Sequence, residues 1–380
     1  VSVLFLDQFS ELGGGQQALL DTVDAVTRQG WEPRVLVPGA GPLVEALRSR
    51  KVSTGEISCG PYRSGSKSAA DLVRFGLDLR RQVRVLSDEV ARRNIDLIYV
   101  NGPRLLPAAS LAARGEIPVV FHVHSHLRSF ASQLSRWALR RTRATLIGCS
   151  KSVLEPYRRD IDAPRTHVIP NGVRDAGYRE RYFDFRNRLR IGIIGRIAAE
   201  KGQKEFVDAA ALLKDEFPHA RFVICGAPMF GSGSDYFESV RLRARDLPVE
   251  FPGWQRDVSA VLGKLDLLAV PSLEEGMSRS VLEAFSAGVP VVAFPTGGIP
   301  EAVVDGVTGF LTRERSGPAL AARIREVLAM NPESLWRVVR EARTAWGLSY
   351  SLSIYQDRIT NLLETLVSKG RVIAMPLQRR

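Results

Sequence analysis

At 380 residues, with 45% hydrophobic, 25% charged and 8% aromatic side chains, the chain is too long for one ordinary core and reads as a globular protein of two or three domains. Three scattered cysteines, Cys59, Cys149 and Cys225, with no CxxC pair, argue against a disulfide framework or a zinc knuckle and suit a reducing compartment. Fifty-three Lys and Arg against 41 Asp and Glu leave a net charge of +12, which favours a partner carrying negative charge, such as phosphate, nucleic acid or an anionic membrane. A merely soluble basic surface is the bland alternative. No apolar run approaches the roughly 18 to 20 residues that span a bilayer, and the start VSVLFLD lacks the basic flank of a signal peptide, so the expected location is cytoplasmic.

From the N-terminus, short β-branched runs alternate with amphipathic segments of helical length. Strands are predicted at 2–7, 34–37, 95–100, 117–123 and 145–149, with helices at 16–29, 71–93 and 130–142. The pattern breaks at Pro170-Asn171-Gly172 and a polar, arginine-rich stretch reaching 188, which predicts a domain boundary. A second series opens with LRIGIIGR at 189 and continues with strands at 220–225, 266–270 and 290–294 and helices around 200–217, 234–246 and 279–287. Such alternation is the signature of parallel βαβ units. The expectation is an α/β chain of two Rossmann-like, doubly wound parallel-sheet domains facing across a cleft, residues 1–185 and 186–349. A last helix at about 350–368 is expected to pack back onto the first domain, with 369–380 a loose tail.

Ligands of open parallel sheets bind at the carboxyl ends of strands, so the loops there carry the chemistry. In the second half, Gly195-Arg196 leads through IAAE to Lys201, placing two cations around a βα turn. Cations at a helix entrance oppose the dipole, and an anion bound between them would explain their presence. The competing reading lets Glu200 satisfy the dipole and leaves both basic side chains in water. Further on, EEGMSRSVLEA at 274–284 sets Glu275 before a helix and Glu283 inside it. Amides of 278–281 could hold a phosphate while the carboxylates accept hydrogen bonds from sugar hydroxyls. Equally, Ser280 and Glu283 match the S-x-x-E capping box, in which Glu283 serves only the helix.

In the first half, residues 13–18 formally match G-x-G-x-x-A, but the six-residue spacer DQFSEL separates them from the first strand and no acid ends the next one. A nicotinamide oxidoreductase is therefore disfavoured. His122, His124 and His126 alternate along one strand face, where a metal site would lack a nearby Cys or acid to complete it and polar packing at a strand end competes.

The ordered set G-R-x4-K-G, FVICGAP, LDLLAVPSLEEG, E-x7-E, AGVPVVAF and TGGIPEAVVDGVTGFL, most of residues 189–312, resembles the retaining family-four glycosyltransferases of GT-B fold (glycosyl transferases group 1). LGGGQQ, IDLIYVN, VVFHVH and VIPNGV extend the resemblance more weakly into the first half. It implies that Arg196 and Lys201 grip a nucleotide diphosphate, that Glu283 binds the ribose and that Glu275 binds hydroxyls of the transferred sugar. Gly195, Gly276 and backbone amides near Met277 and Ser278 would complete the donor contacts. The loop with Gly14 and Gly15 would cover the donor from the other domain, with His124 beside the sugar. Where relatives often carry an aromatic-Gly pair after Glu-Gly, this chain has Met277-Ser278, putting a side chain where glycine allows close approach.

The reaction so implied is transfer of a sugar from a nucleotide diphosphate sugar to an acceptor hydroxyl with retention, without a metal or other cofactor, catalysed by Arg196, Lys201, Glu275 and His124. Domain closure about 171–188 and 345–350 would exclude water. Two other classes stay open: a nucleotide-sugar 2-epimerase of similar architecture, and a non-catalytic nucleotide-sugar-binding partner subunit. Residues 1–185 carry 27 Lys and Arg against 19 Asp and Glu, and LRSFASQLSRWALRRTR at 127–143 mixes Leu, Phe and Trp with arginines at helical spacing. The expectation is peripheral binding to an anionic membrane face and a lipid-linked or glycan acceptor, with no nucleic-acid partner. An ordinary amphipathic helix with its arginines in water is the competing reading.

Overall fold

The computed structural model describes residues 1–60, 69–127, 129–159, 161–178, 183–229 and 233–374, with side chains for all of these except 69–72, 129–131 and 371–374. The chain divides into two compact units, Val1–Ile169 with Gln356–Arg380, and Pro170–Tyr355.

The first unit is built on seven strands, β1 (Ser2–Leu6), β2 (Glu32–Val37), β3 (Ser53–Glu56), β4 (Leu97–Val100), β5 (Val119–Val123), β6 (Thr145–Gly148) and β7 (Thr166–Val168). They pair in the order β3-β2-β1-β4-β5-β6-β7, all parallel. Val3–Leu6 and Leu97–Val100 are fully buried, as strands covered on both faces must be. The second unit has six, β8 (Leu189–Ile194), β9 (Ala220–Cys225), β10 (Val249–Gly253), β11 (Leu267–Val270), β12 (Val291–Ala293) and β13 (Phe310–Leu311), in the order β10-β9-β8-β11-β12-β13 and again parallel. Helices such as Gln203–Leu213 and Gly317–Leu328 bury Phe206, Val207, Ala210, Leu320 and Ile324 in its core. The α/β architecture of two Rossmann-like units is thus as the alternation predicts.

The polar stretch expected to close the first domain belongs instead to the second unit. Phe183 is buried in that unit's core and Phe185 packs against it, so two aromatics outweigh the surrounding arginines. The last helix, Leu352–Ala374, buries Tyr355, Ile359, Leu363 and Val367 along one stripe, and from Gln356 onward it is part of the first unit. There Gln356 donates to the Asp21 carbonyl at 2.9 Å. Residues 369–374, expected as loose tail, continue this helix, while 375–380 lie outside the described residues. Among the described residues no helix is long and apolar enough to cross a membrane.

Candidate functional site

In the second unit the strand order reverses between β8 and β11, and the two loops leaving these neighbours carry the cations and carboxylates singled out above. After β8 the chain makes a 3-10 turn, Ala199–Lys201, and enters the helix Gln203–Leu213 through Gly202 at φ 74°. A Cβ on Gly202 would lie 1.9 Å from the Pro271 carbonyl oxygen, so only glycine lets the two loops approach this closely. Across that approach the Leu273 N–H donates to the Glu200 carbonyl at 2.8 Å. A third loop joins them, because a Cβ on Gly226, after β9, would sit 1.8 Å from the Gly195 carbonyl oxygen.

This backbone packing brings Lys201 Nζ to 2.6 Å from Glu275 Oε2, with the Glu275 side chain only 10% exposed. Arg196, on the same loop as Lys201, pairs with Glu200, and Gln203 Nε2 holds the Arg196 carbonyl at 2.9 Å. Burial pushes the Glu200 carboxyl up, but its own backbone N–H, Arg196 and Lys201 together hold it below the usual range. Both cations therefore have carboxylate partners, which departs from the solvated alternative.

The helix Arg279–Ala287 begins at Ser278, an N-cap in extended conformation with no side-chain cap bond. Ser280 consequently lies inside the helix, and the capping box with Glu283 is not formed. Gly276, Met277 and Ser278 are buried, and Asn171 Nδ2 donates to the Met277 carbonyl at 3.5 Å. Ser278, whose side chain stands where glycine would allow close approach, is buried at 4% exposure, and Met277 before it is packed away at 5%.

The first unit reverses its order between β1 and β4, and again the residues immediately after these strands are polar. Asp7 follows β1, Asn101 follows β4, and His124 follows β5. Asp7 is fully buried and accepts from Asn101 Nδ2 at 2.6 Å, from Gln16 Nε2 at 3.1 and 3.2 Å, and from the Phe9 N–H at 2.9 Å. Burial drives its pKa up to about 7 against the pull of these hydrogen bonds. Gln16 turns its Oε1 to the Gly13 N–H at 3.2 Å, at the entrance of the glycine-initiated helix Gly14–Arg28. Asn101 also donates to the Gly15 carbonyl at 3.1 Å and faces His124 Nε2 with its Oδ1 at 2.7 Å. A Cβ on Gly15 would touch the His124 ring at 3.4 Å.

The three histidines do not act together. His122 is buried, with Nδ1 at 2.5 Å from the Tyr99 hydroxyl, and burial, then the neighbouring His124, hold its pKa well below the usual value. The His124 ring lies on His122 at 3.9 Å between centroids, whereas exposed His126 meets Ser152 Oγ at 3.1 Å. Among the described residues no three His, Cys, Asp or Glu side chains are grouped to hold a metal ion. A cavity of about 680 Å³ beside Cys59 and Asp78 is lined by none of Asp7, Gln16, Asn101 and His124, and burial pushes the Cys59 thiol up to about 11, out of nucleophilic range at neutral pH. Asp7 and Asn101 escape the motif reading. The available signal was a polar residue abutting the carboxyl end of a fully apolar strand, as in VSVLFLD and DLIYVN.

Chemically, the second unit offers paired cations and carboxylates suited to an anion carrying hydroxyls, and the first a glycine-opened helix start with an imidazole beneath it. Two family profiles match the chain, Glycosyltransferase Family 4 over residues 12–176 and Glycosyl transferases group 1 over residues 188–330. The chain is similar to the putative colanic acid biosynthesis glycosyltransferase WcaL of Salmonella typhimurium, with 26% identity over 380 residues covering 90% of this chain and 89% of that one. It is 32% identical over 186 residues to the D-inositol 3-phosphate glycosyltransferase of Corynebacterium glutamicum, covering 45% and 44% of the two chains. In fold it is similar to Anabaena HepE in complex with UDP-glucose, at a TM-score of 0.80 and 23% identity over 96% of this chain and 99% of that one. A lipopolysaccharide outer core galactosyltransferase, WaaB, has a TM-score of 0.72 at 16% identity over 96% and 99%.

Proposed function

This chain belongs to the family-four glycosyltransferases of GT-B fold, and we propose that it transfers a sugar from a nucleotide diphosphate sugar to an acceptor hydroxyl with retention at the anomeric carbon. The observation that carries this reading is the meeting of Lys201 and Glu275 at 2.6 Å where the strand order reverses. A diphosphate needs cations and a sugar needs a carboxylate, and here the two are adjacent. Arg196 and Lys201 grip the diphosphate and Glu275 the sugar hydroxyls, with Gly195, Gly276 and the backbone at Met277 and Ser278 lining the donor. Glu283, which forms no capping box with Ser280, is assigned to the ribose. Gly14, Gly15 and His124 are the first unit's contribution to donor and sugar.

As the glycosidic bond breaks, charge gathers on the departing diphosphate, so the two cations stabilise the transition state more than the ground state. They supply the countercharge, and we assign no metal ion or other cofactor to the step. Retention follows from same-face attack assisted by the leaving phosphate, with no enzymic nucleophile. The colanic acid biosynthesis named for one relative supports a glycan acceptor, and we assign to this chain a lipid-linked or envelope-glycan acceptor reached at an anionic membrane face.

The test is thermal stabilisation by UDP-, GDP- and ADP-sugars, followed by transfer assays with the donor that binds. A donor at 100 times its Kd adds about 2.7 kcal/mol to folded-state stability and raises the melting temperature. Product appearing only with an acceptor supports transfer, whereas donor conversion without one would identify a 2-epimerase. If no nucleotide sugar shifts the melt, the proposal is wrong.

A further inference from the structure

We propose that Asn101 and Asp7 are positioning residues that hold the His124 ring in one tautomer, with its proton on Nε2 and its lone pair on Nδ1. The inference rests on the reading that places His124 beside the transferred sugar.

The derivation begins at the Phe9 N–H, a backbone donor that cannot turn away from Asp7 Oδ1 at 2.9 Å. Asp7 itself has only acceptors to offer when ionised, and it receives Asn101 Nδ2 at 2.6 Å and Gln16 Nε2 at 3.1 Å. The Asn101 amide is pinned in the same sense by the Gly15 carbonyl, which takes its second N–H at 3.1 Å. Flipping that amide would set its oxygen against both a carboxylate and a carbonyl oxygen. Asn101 Oδ1 must therefore point to His124 Nε2, 2.7 Å away, and an oxygen without a proton accepts only from a protonated nitrogen. The neutral ring then carries its lone pair on Nδ1. Burial of Asp7 and Asn101, at 0% and 4% exposure, keeps water from relaxing this orientation. All four groups stand at the carboxyl ends of β1, β4 and β5, around the strand-order reversal of the first unit, so the chain spends a buried carboxylate on orienting a ring. Gln16 shows the same logic on the other side, its Oε1 turned to the Gly13 N–H at 3.2 Å because its amino group serves Asp7.

Asp7→Asn tests this without changing volume. The Phe9 N–H keeps the new amide oxygen at the Oδ1 position, so the amino group faces Asn101 Nδ2, and two donors meeting at a buried position are relieved by turning the Asn101 amide over at the expense of its bond to the Gly15 carbonyl. His124 Nε2 then meets a donor and the ring proton moves to Nδ1. We expect ring 15N NMR, with His124 assigned by its loss in His124→Ala, to report Nε2–H in the wild type and Nδ1–H in Asp7→Asn. Turnover should fall about tenfold or more, while the donor KM stays within about twofold, because wrong tautomers damage the reacting geometry and not ground-state binding. Should Asp7→Asn fail to fold, Asn101→Ser removes both orienting bonds, and a mixed tautomer population with lowered kcat is expected. A folded variant that keeps Nε2–H and wild-type kcat overturns the proposal. If His124→Ala turns over at the wild-type rate, the assignment of His124 to the sugar has failed instead, whatever the tautomer signals show.

Discussion

Lys201 and Glu275 hold each other with Glu275 only 10% exposed, so truncating Lys201 to Ala would strand a largely buried carboxylate and cost stability as well as function. Lys201→Gln keeps a donor for Glu275 and removes only the charge. Combined with Arg196→Ala, it should leave melting close to wild type. Two charged hydrogen bonds to a diphosphate at roughly 1.5 to 3 kcal/mol each correspond to about 10² to 10⁴ in rate, which steady-state kinetics would read directly. Wild-type turnover in this double variant would remove the diphosphate assignment. Glu283 is the complementary case: with Ser278 as N-cap, Glu283→Gln disturbs no capping box, so melting should change by little. Donor affinity should drop by about tenfold as the charge that grips the ribose is lost. A lowered melting temperature with donor binding unchanged would make Glu283 a structural residue.

At the scale of an element, the helix Ser129–Arg141 decides whether this protein meets a membrane. Ser135, Ala138 and Leu139 are buried, so an inner face serves the core as in any amphipathic helix. Its outer face still carries Trp137, 37% exposed, with the Arg141 guanidinium 5.2 Å above the indole and Arg140 exposed beside them. An indole flanked by guanidinium groups suits the headgroup region, where each basic residue contributes about 1 kcal/mol near an anionic surface. Co-sedimentation with anionic liposomes should be strong at low salt, weaken as salt screens the charges, and drop several-fold in Trp137→Ala with Arg140→Ala and Arg141→Ala. Equal binding to neutral and anionic vesicles would point to a soluble acceptor.

For the whole molecule, Asp7 couples stability to pH. Its folded pKa, about 7, lies above the unfolded value near 3.8, so the native chain binds more protons between these limits. The stability this group leaves in place at low pH is therefore lost as pH rises through the window, on the order of 4 kcal/mol in all at about 1.4 kcal/mol per pH unit. His122 has the opposite sign: its depressed folded pKa means that the unfolded chain takes up the proton first, so its contribution is lost as pH falls below about 6.5. Comparing wild type with Asp7→Asn isolates the Asp7 term. The variant should gain stability relative to wild type as pH increases from about 5 to about 8 in denaturant melts. Parallel pH curves for the two proteins would show that Asp7 does not titrate in this range.

The strands that the sequence made legible are the ones buried on both faces. VSVLFL, IDLIYV and DLLAV are continuous apolar runs because β1, β4 and β11 lie inside their sheets. The four strands it did not reveal, β3, β7, β10 and β13, are the four sheet edges, where half-exposed segments such as STGE and THV carry no such run. Arg196, Lys201, Glu275 and Glu283 stood out as candidates because each lies beside a strand end or helix start, and the family resemblance supplied the roles expected of them. Pairing could not be read there: that Lys201 reaches Glu275, 74 positions on, depends on β8 and β11 becoming neighbours and on Gly202 admitting the Pro271 carbonyl. Whether Glu283 forms a capping box with Ser280 likewise waited on where the helix begins, a matter of two residues that local pattern does not resolve. Asp7 and Asn101 were visible only as polar residues after apolar strands, and they became a buried network because the sheet brings positions 7, 16, 101 and 124 within hydrogen-bond reach of one another, a distance relation that no spacing along the chain encodes.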